Sequence, residues 1–134
     1  MDDAVFRLPI SAFIICLNEE RYLGNCIESL ANCEEIVIVD SGSTDGTLAL
    51  IQTYIDKGWP IRVFQEGWRG YAAQKQFALD QCKQPWALNI DADERLDATL
   101  RKELSELIAA DVDICLLYTS DAADDLLCVD LGGR

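Results

Sequence analysis

The sequence predicts an α/β fold, a doubly wound and mainly parallel sheet with helices on both faces. Three observations carry that reading. Short apolar runs at residues 10–17, 36–39, 61–64 and 86–90 alternate with segments whose apolar residues recur at helical spacing. The first run, Ile-Ser-Ala-Phe-Ile-Ile-Cys-Leu, is almost continuously apolar, as suits a strand covered on both faces. Strand following helix in regular alternation then calls for parallel neighbours joined by right-handed crossovers.

Each element has its own signature. The first strand ends at Asn18-Glu19-Glu20, after which Leu23, Cys26, Ile27 and Leu30 give a helix over residues 21–31 one apolar face. Ile36-Val37-Ile38-Val39 is a β-branched strand that ends at Asp40. The polar turn Ser41-Gly42-Ser43-Thr44-Asp45-Gly46 follows, and its side chains can cap the helix marked by Leu48, Ile51 and Ile55. Gly58-Trp59-Pro60 breaks that helix before the third strand at residues 61–64. Glu66-Gly67-Trp68-Arg69-Gly70 is a glycine-flanked loop with an aromatic and a cation, and the helix at 71–81 carries Lys75 near its first turns. Pro85 opens the fourth strand, which delivers Asp91 and Asp93. Leu100, Leu104, Leu107 and Ile108 mark a last helix, with Asp97 as its N-cap.

Composition narrows the functional classes. At 134 residues and 50% hydrophobic, the chain suits one compact domain. No apolar run approaches the roughly 18 to 20 residues of a membrane span, and Met1-Asp2-Asp3 reverses the basic start of a signal peptide. A cytoplasmic location is therefore expected. The formal charge of -13 argues against broad electrostatic binding to nucleic acid or anionic lipid, so an anionic ligand must be held locally. Six cysteines without Cys-x-x-Cys spacing, and no histidine, read as reduced thiols rather than disulfides or a zinc site.

The last twenty residues read differently from the rest. Cys115 to Asp124 correspond to in-frame translation of TGT CTC TTA TAC ACA TCT GAC GCT GCC GAC, which contains the end sequence of a transposon-based sequencing adapter. Cys128 to Arg134 correspond to a second stretch of the same adapter, TGT GTA GAT CTC GGT GGT CGC. Residues 115–134 are accordingly expected to be an adapter-derived, non-native tail and are set apart from fold reasoning. Residues 1–114 remain as the natural portion, strongly acidic and expected to be truncated at its C-terminus.

Acidic residues close three of the strands: Glu19 after the first, Asp40 after the second, and Asp91 with Asp93 after the fourth. Ligands of open α/β sheets bind beyond the carboxyl ends of the strands, where these groups lie. If the extended conformation persists, Asp91 and Asp93 point the same way, and two hard oxygen ligands suit Mg²⁺ or Mn²⁺. The dinucleotide fingerprint Gly-x-Gly-x-x-Gly and the phosphate loop Gly-x-x-x-x-Gly-Lys-Ser/Thr are both absent. Carboxylates repel phosphate, but they accept hydrogen bonds from ribose hydroxyls or base N–H groups and can hold a divalent ion that binds diphosphate. The pattern suggests a nucleoside diphosphate held through base, ribose and metal. Plain alternatives exist for each group. Asp40 and Asp45 could simply cap a helix, Glu19 could be a solvated loop acid, Lys75 an exposed helical charge, and the Asp91–Asp93 pair a solvated turn.

Ile14-Ile15-Cys16-Leu17-Asn18-Glu19, Ile38-Val39-Asp40-Ser41-Gly42-Ser43-Thr44-Asp45-Gly46-Thr47 and Asn89-Ile90-Asp91-Ala92-Asp93-Glu94 together resemble the successive motifs of the family 2 inverting glycosyltransferases of GT-A fold, over about residues 8–110. Trp68-x-Gly70 followed by Gln74-Lys75-Gln76-Phe77-Ala78-Leu79 is similar to the subgroup that adds glucose to the inner core of lipopolysaccharide. By that resemblance residues 1–114 are the donor-binding part of a GT-A domain. Leu17 and Glu19 would line the nucleoside pocket, Asp40 would contact the base, commonly uracil, and Lys75 would reach the diphosphate. Asp91 would meet the ribose or metal, and Asp93 would hold the Mg²⁺ or Mn²⁺ that bridges the donor diphosphate.

The resemblance implies a nucleotide-sugar donor, a glycan or glycolipid acceptor, and peripheral association of the intact protein with the inner face of the cytoplasmic membrane. Inversion needs a general base to deprotonate the acceptor, which the family places further along, in the acceptor half. No catalytic residue is therefore assigned, and the 134-residue chain is expected to be inactive in transfer. The runner-up is a phosphohydrolase of the haloacid dehalogenase class, whose Asp-x-Asp also follows a strand. It fits less well, because that signature sits on the first strand and continues with Thr or Val, where this chain has Glu94 and Arg95 after its fourth. A nucleotide-binding module without turnover is a further alternative. An EF-hand is excluded, since the loop from Asp91 lacks the required Gly at its sixth position.

Overall fold

The computed structural model describes residues 7–109, 115–119 and 126–130. In chain order the elements are β1 (Leu8–Cys16), α1 (Leu23–Glu28), β2 (Cys33–Asp40), α2 (Thr47–Asp56), β3 (Ile61–Gln65), α3 (Tyr71–Gln81), β4 (Trp86–Asn89), α4 (Ala98–Ala109), β5 (Cys115–Thr119) and β6 (Leu126–Asp130). The strands form one sheet in the order β3-β2-β1-β4-β5-β6. Pairing is parallel from β3 through β5, and β6 runs antiparallel on β5. This is the doubly wound, mainly parallel α/β architecture expected.

Alternation along each strand divides the core into two layers. Ala12, Ile14 and Cys16 of β1, with Ile36 and Ile38 of β2 and Leu88 of β4, pack with Leu23 and Ile27 of α1, Ile51 of α2 and Leu100 and Leu104 of α4. Phe13, Val37, Val39 and Ala87 face the other way, onto Ala78 and Cys82 near the end of α3. Both faces are covered, which is why the strands read as continuous apolar runs. At about 25 cal/mol per Å² of apolar surface removed from water, this two-sided burial is the main force assembling the sheet. Cys16, Cys26, Cys33 and Cys82 are buried free thiols, as expected of those four.

Some local details depart from expectation. Helix α1 covers residues 23–28 rather than 21–31, and just past its end the Ser29 hydroxyl donates to the Cys26 carbonyl (2.7 Å). Of the turn residues expected to cap α2, Asp45 accepts from the free Thr47 N–H (2.9 Å) at the first helical position, while the N-cap position itself is Gly46, with no side-chain cap. Asp97 does accept from the Leu100 N–H (2.8 Å), the bond expected of an N-cap to α4. Strands β5 and β6 fall within residues 115–134. Their pairing runs through main-chain groups that any sequence supplies, so it carries no information on where those residues came from. The boundary drawn at Ile114 lies outside the described residues.

At the N-terminal edge of the sheet a polar network ties three strands to α3. Glu35 of β2 is buried and accepts from Arg62 of β3 (3.1 Å) and from the Ser11 hydroxyl of β1 (3.0 Å). Arg62 also donates to the Gln81 carbonyl at the end of α3, a favourable place for a cation. The Ser11 oxygen in turn accepts from the Lys83 and Gln84 N–H groups, which seats the α3–β4 connection.

Candidate functional site

The strand order determines where a ligand can sit. Connections from β1 run outward to β2 and β3, whereas β4 returns to the other side of β1, so the topology reverses between β1 and β4. The crevice beyond the carboxyl ends at such a reversal is the usual ligand site of open α/β sheets. Residues 17–22 leave β1 on one side of it and residues 90–94 leave β4 on the other, with the loops 41–46 and 66–70 beside them.

Two of these loops are fastened to each other. Asn18 adopts φ 54°, a left-handed conformation that Asn tolerates better than most residues. Its Oδ1 accepts from the Thr44 and Asp45 N–H groups (2.8 and 3.2 Å), and its own N–H donates to Ser43 Oγ (2.8 Å). The Glu19 N–H donates to Thr47 Oγ1 (2.9 Å). The Thr47 hydroxyl donates to Asp45 and holds that carboxyl below its ordinary range. Sequence reading quoted Asn18 within a motif without giving it a role. Its one local signal was an Asn directly after a strand, whereas its partners lie 25 to 27 residues away.

Asp40 is buried, and its carboxylate turns into its own loop. Oδ2 accepts from the Gly42 and Ser43 N–H groups (3.0 and 2.8 Å), and Oδ1 from the Ser43 hydroxyl and the Cys16 thiol. Burial, and then the Asp40 charge, push the Cys16 thiol well above its ordinary value. Gly42 lies at φ +116°, where other residues are strained, so this carboxylate and this glycine together form the tight loop.

Beyond β4, the Asp91 N–H donates to the Glu94 carboxylate and the Glu94 N–H to the Asp91 carbonyl, both at 2.9 Å. Ala92 is buried in the core while Asp91 and Asp93 are exposed, so the anchored alanine leaves both carboxylates on the solvent side. Partial burial first, and then the charges of Asp93, Asp45 and Asp91, push the Glu19 carboxyl above its ordinary value. Acids from the ends of β1 and β4 and from the β2 loop thus share one field. Among the described residues no group of three or more His, Cys, Asp or Glu is arranged to bind a metal by itself.

The β3–α3 side of the edge is aromatic. Trp68 and Tyr71 are both exposed and meet edge to face, ring centroids 5.8 Å apart and planes at 77°. Lys75 Nζ lies 4.7 Å from the Tyr71 ring centroid. Gln74 is fully buried beneath them, its amide donating to Ser41 Oγ and to the Glu66 carbonyl (3.2 Å each), and its Oε1 has no hydrogen-bond partner. Of the residues singled out from sequence, Glu19, Asp91 and Asp93 share one electrostatic neighbourhood. Leu17 is exposed at the end of β1, Lys75 lies against Tyr71, and Asp40 supports the loop from within.

Comparison with known proteins agrees with this fold. Residues 11–125 match the family described as Glycosyl transferase family 2. The lipopolysaccharide core biosynthesis glycosyltransferase LpsC of Rhizobium meliloti (strain 1021) is 73% identical over 108 residues, covering 81% of this chain and 40% of that protein. The chain therefore spans well under half the length of that relative. Among solved structures, S. aureus TarS (residues 1–349) is similar with a TM-score of 0.67 and 26% identity over 77% of this chain and 33% of the other. The same protein in complex with UDP gives a TM-score of 0.63 at 25% identity, with 77% and 32% covered. The mannosyltransferase PcManGT of Pyrobaculum calidifontis, solved with GDP-Man and Mn²⁺, shares the fold with a TM-score of 0.61 at 24% identity, over 77% of this chain and 32% of that one. With its GT-A-type sheet, its acidic strand ends and a family match over most of its length, this chain belongs to glycosyl transferase family 2.

Proposed function

We propose that this chain is the donor-binding part of a glycosyltransferase that takes a uridine diphosphate sugar with a divalent ion. The whole protein would transfer the sugar with inversion to a lipopolysaccharide core or related cell-envelope acceptor. The observation that carries the reading is the shared field of Glu19, Asp45, Asp91 and Asp93 at the topological switch between β1 and β4. The UDP bound by TarS and the lipopolysaccharide role in the name of the Rhizobium relative support the donor and acceptor classes. Family membership leaves no role for the phosphohydrolase alternative.

Leu17 and Glu19 line the nucleoside pocket in this reading, and Lys75 neutralises diphosphate charge. Asp40 meets a base N–H once the Ser43 hydroxyl, a rotatable donor on Oδ1, turns aside. Asp91 and Asp93 hold Mg²⁺ or Mn²⁺. Two exposed carboxylates fit such an ion, which takes few protein ligands and completes its shell with water and substrate phosphates. When bound, it supplies Lewis-acid stabilisation of the leaving diphosphate. The general base for the acceptor belongs to another part of the whole protein, which works at the inner face of the cytoplasmic membrane. Among the described residues no helix is long and apolar enough to cross one.

Calorimetric titration of the chain with UDP, in Mg²⁺ and then in EDTA, tests the reading. Affinity at least about tenfold weaker in EDTA is expected, equivalent to about 1.4 kcal/mol. Equal affinity in both would remove the metal role, and no binding in either would remove the donor reading.

A further inference from the structure

Among the described residues, the large apolar side chains most exposed to solvent are Leu17, Tyr22, Trp68 and Tyr71, between 47% and 55% accessible. All four leave the carboxyl edge of the sheet, the edge that carries the acids. Exposed aromatic surface costs free energy unless something covers it, so its concentration at one edge calls for an occupant.

The local geometry says which kind. Gly70 stands between the two rings at φ +98°, ψ 155°, a conformation essentially confined to glycine, and α3 begins directly after it at Tyr71. Lys75 lies over the Tyr71 ring from one helical turn further on, a contact that braces the ring. Tyr71 meets Trp68 edge to face and so props the indole rather than stacking flat on it. Partial loss of hydration first, and then the charges of Asp91, Asp93 and Glu94, push the Tyr71 phenol above its ordinary value. The two rings, at 77°, form no parallel-sided slot, so the indole offers a ligand one open face. A pyranose has an apolar C–H face and a rim of hydroxyls. It matches an open indole face beside the Tyr71 phenol and the Lys75 ammonium, at the edge of the sheet that carries the acids.

We propose that Trp68 is the stacking platform for a pyranose ring of the substrate, with Tyr71 as the residue that holds the indole in place. The assignment rests on the nucleotide-sugar reading above and adds the element that recognises the sugar itself. The ring is either the sugar of the donor or the terminal sugar of the acceptor, since each is a ring with an apolar C–H face.

The test uses the full chain with Mg²⁺, titrated with UDP and with UDP-glucose, beside saturation-transfer NMR with methyl β-glucopyranoside in the presence of UDP. Trp68→Ala is expected to weaken UDP-glucose about fivefold to tenfold while UDP stays within about twofold, as for loss of one aromatic contact. Trp68→Phe should recover part of the loss, and Tyr71→Phe should keep most of the affinity because it keeps the ring. If Trp68→Ala leaves UDP-glucose unchanged but abolishes NMR contact with the glycoside C–H protons, the platform serves the acceptor sugar. Equal weakening of UDP and UDP-glucose, or no change in either arm, overturns the proposal. Should the unaltered chain bind neither nucleotide, the donor reading fails separately. The glycoside alone then decides the platform, and a signal absent from the unaltered chain or insensitive to Trp68→Ala overturns it.

Discussion

Glu35 and Glu19 stand at opposite edges of the same sheet and meet opposite surroundings. Glu35 is buried, and its charge is answered within the fold by the Arg62 guanidinium, the Ser11 hydroxyl and the Lys83 N–H. Glu19 is only partly buried, and the charges acting on it are those of other acids, Asp93, Asp45 and Asp91. A carboxylate kept for structure brings its own cation and donors, because an uncompensated buried charge costs several kcal/mol. One kept for a ligand stays near solvent and tolerates like charge. The repulsion is then relieved when a cation or donor arrives.

Exchanging one residue at each edge should separate the two habits. Asp93→Asn is expected to weaken Mg²⁺-dependent UDP binding about 100-fold, about 2.7 kcal/mol, with unfolding in urea unchanged. Arg62→Met should do the reverse. It strands Glu35 and should lower stability by about 2 kcal/mol, less than the 3–5 of a fully buried pair because Arg62 is partly exposed, while folded protein keeps its UDP affinity. If Arg62→Met abolishes binding at full stability, the division between the edges is wrong.

Asn18 joins the two habits, being structural in its bonds and placed at the ligand edge. Asn18→Ala removes the acceptor for two N–H groups and puts a methyl side chain at φ 54°. About 1–2 kcal/mol of stability and about tenfold in UDP affinity should be lost together. Asn18→Gly restores the backbone freedom and not the hydrogen bonds. A glycine variant as stable as the original by thermal melting would show that only the dihedral matters.

The smallest effect concerns Glu19 itself. Its carboxyl is raised in the folded chain, so folding favours the protonated form. The corresponding stability is complete below the ordinary glutamate range and is lost as pH rises through the folded value. Glu19→Gln should flatten that dependence and add less than about 1 kcal/mol at pH 7, because solvent screens a charge that is only partly buried. Saturating Mg²⁺ with UDP should shrink or reverse the gain. Urea titrations of both forms between pH 4 and 7 would measure it, and a variant less stable at pH 7 would contradict the like-charge account.

What could be read in the chain depended on how far apart the partners lie. Asp97 was legible as an N-cap because its acceptor oxygen meets an N–H three residues away. Asp40 and Asp45 were legible as turn residues, and Asp45 does accept from the first N–H of α2, but its further bond across to residue 20 was not. Nothing local marks Glu35 as the partner of Arg62, since the pair is 27 residues apart and forms only once β2 and β3 lie in register. Gln74 gave no sign of its position either, because a glutamine on a helix is ordinarily solvated, and only the docking of α3 on the sheet buries it.

By itself the sequence determined the alternation of strands and helices, the faces that turn inward, and the acids that end the strands. These follow from side-chain periodicity and from breakers that act within a few residues. Only the tertiary structure decided that β4 lies beside β1 rather than beyond β3. That choice brings Asp91 and Asp93 to Glu19 across the crevice. Strand order is set by long-range hydrogen bonding and by the burial of both faces at once, which no local window of residues contains.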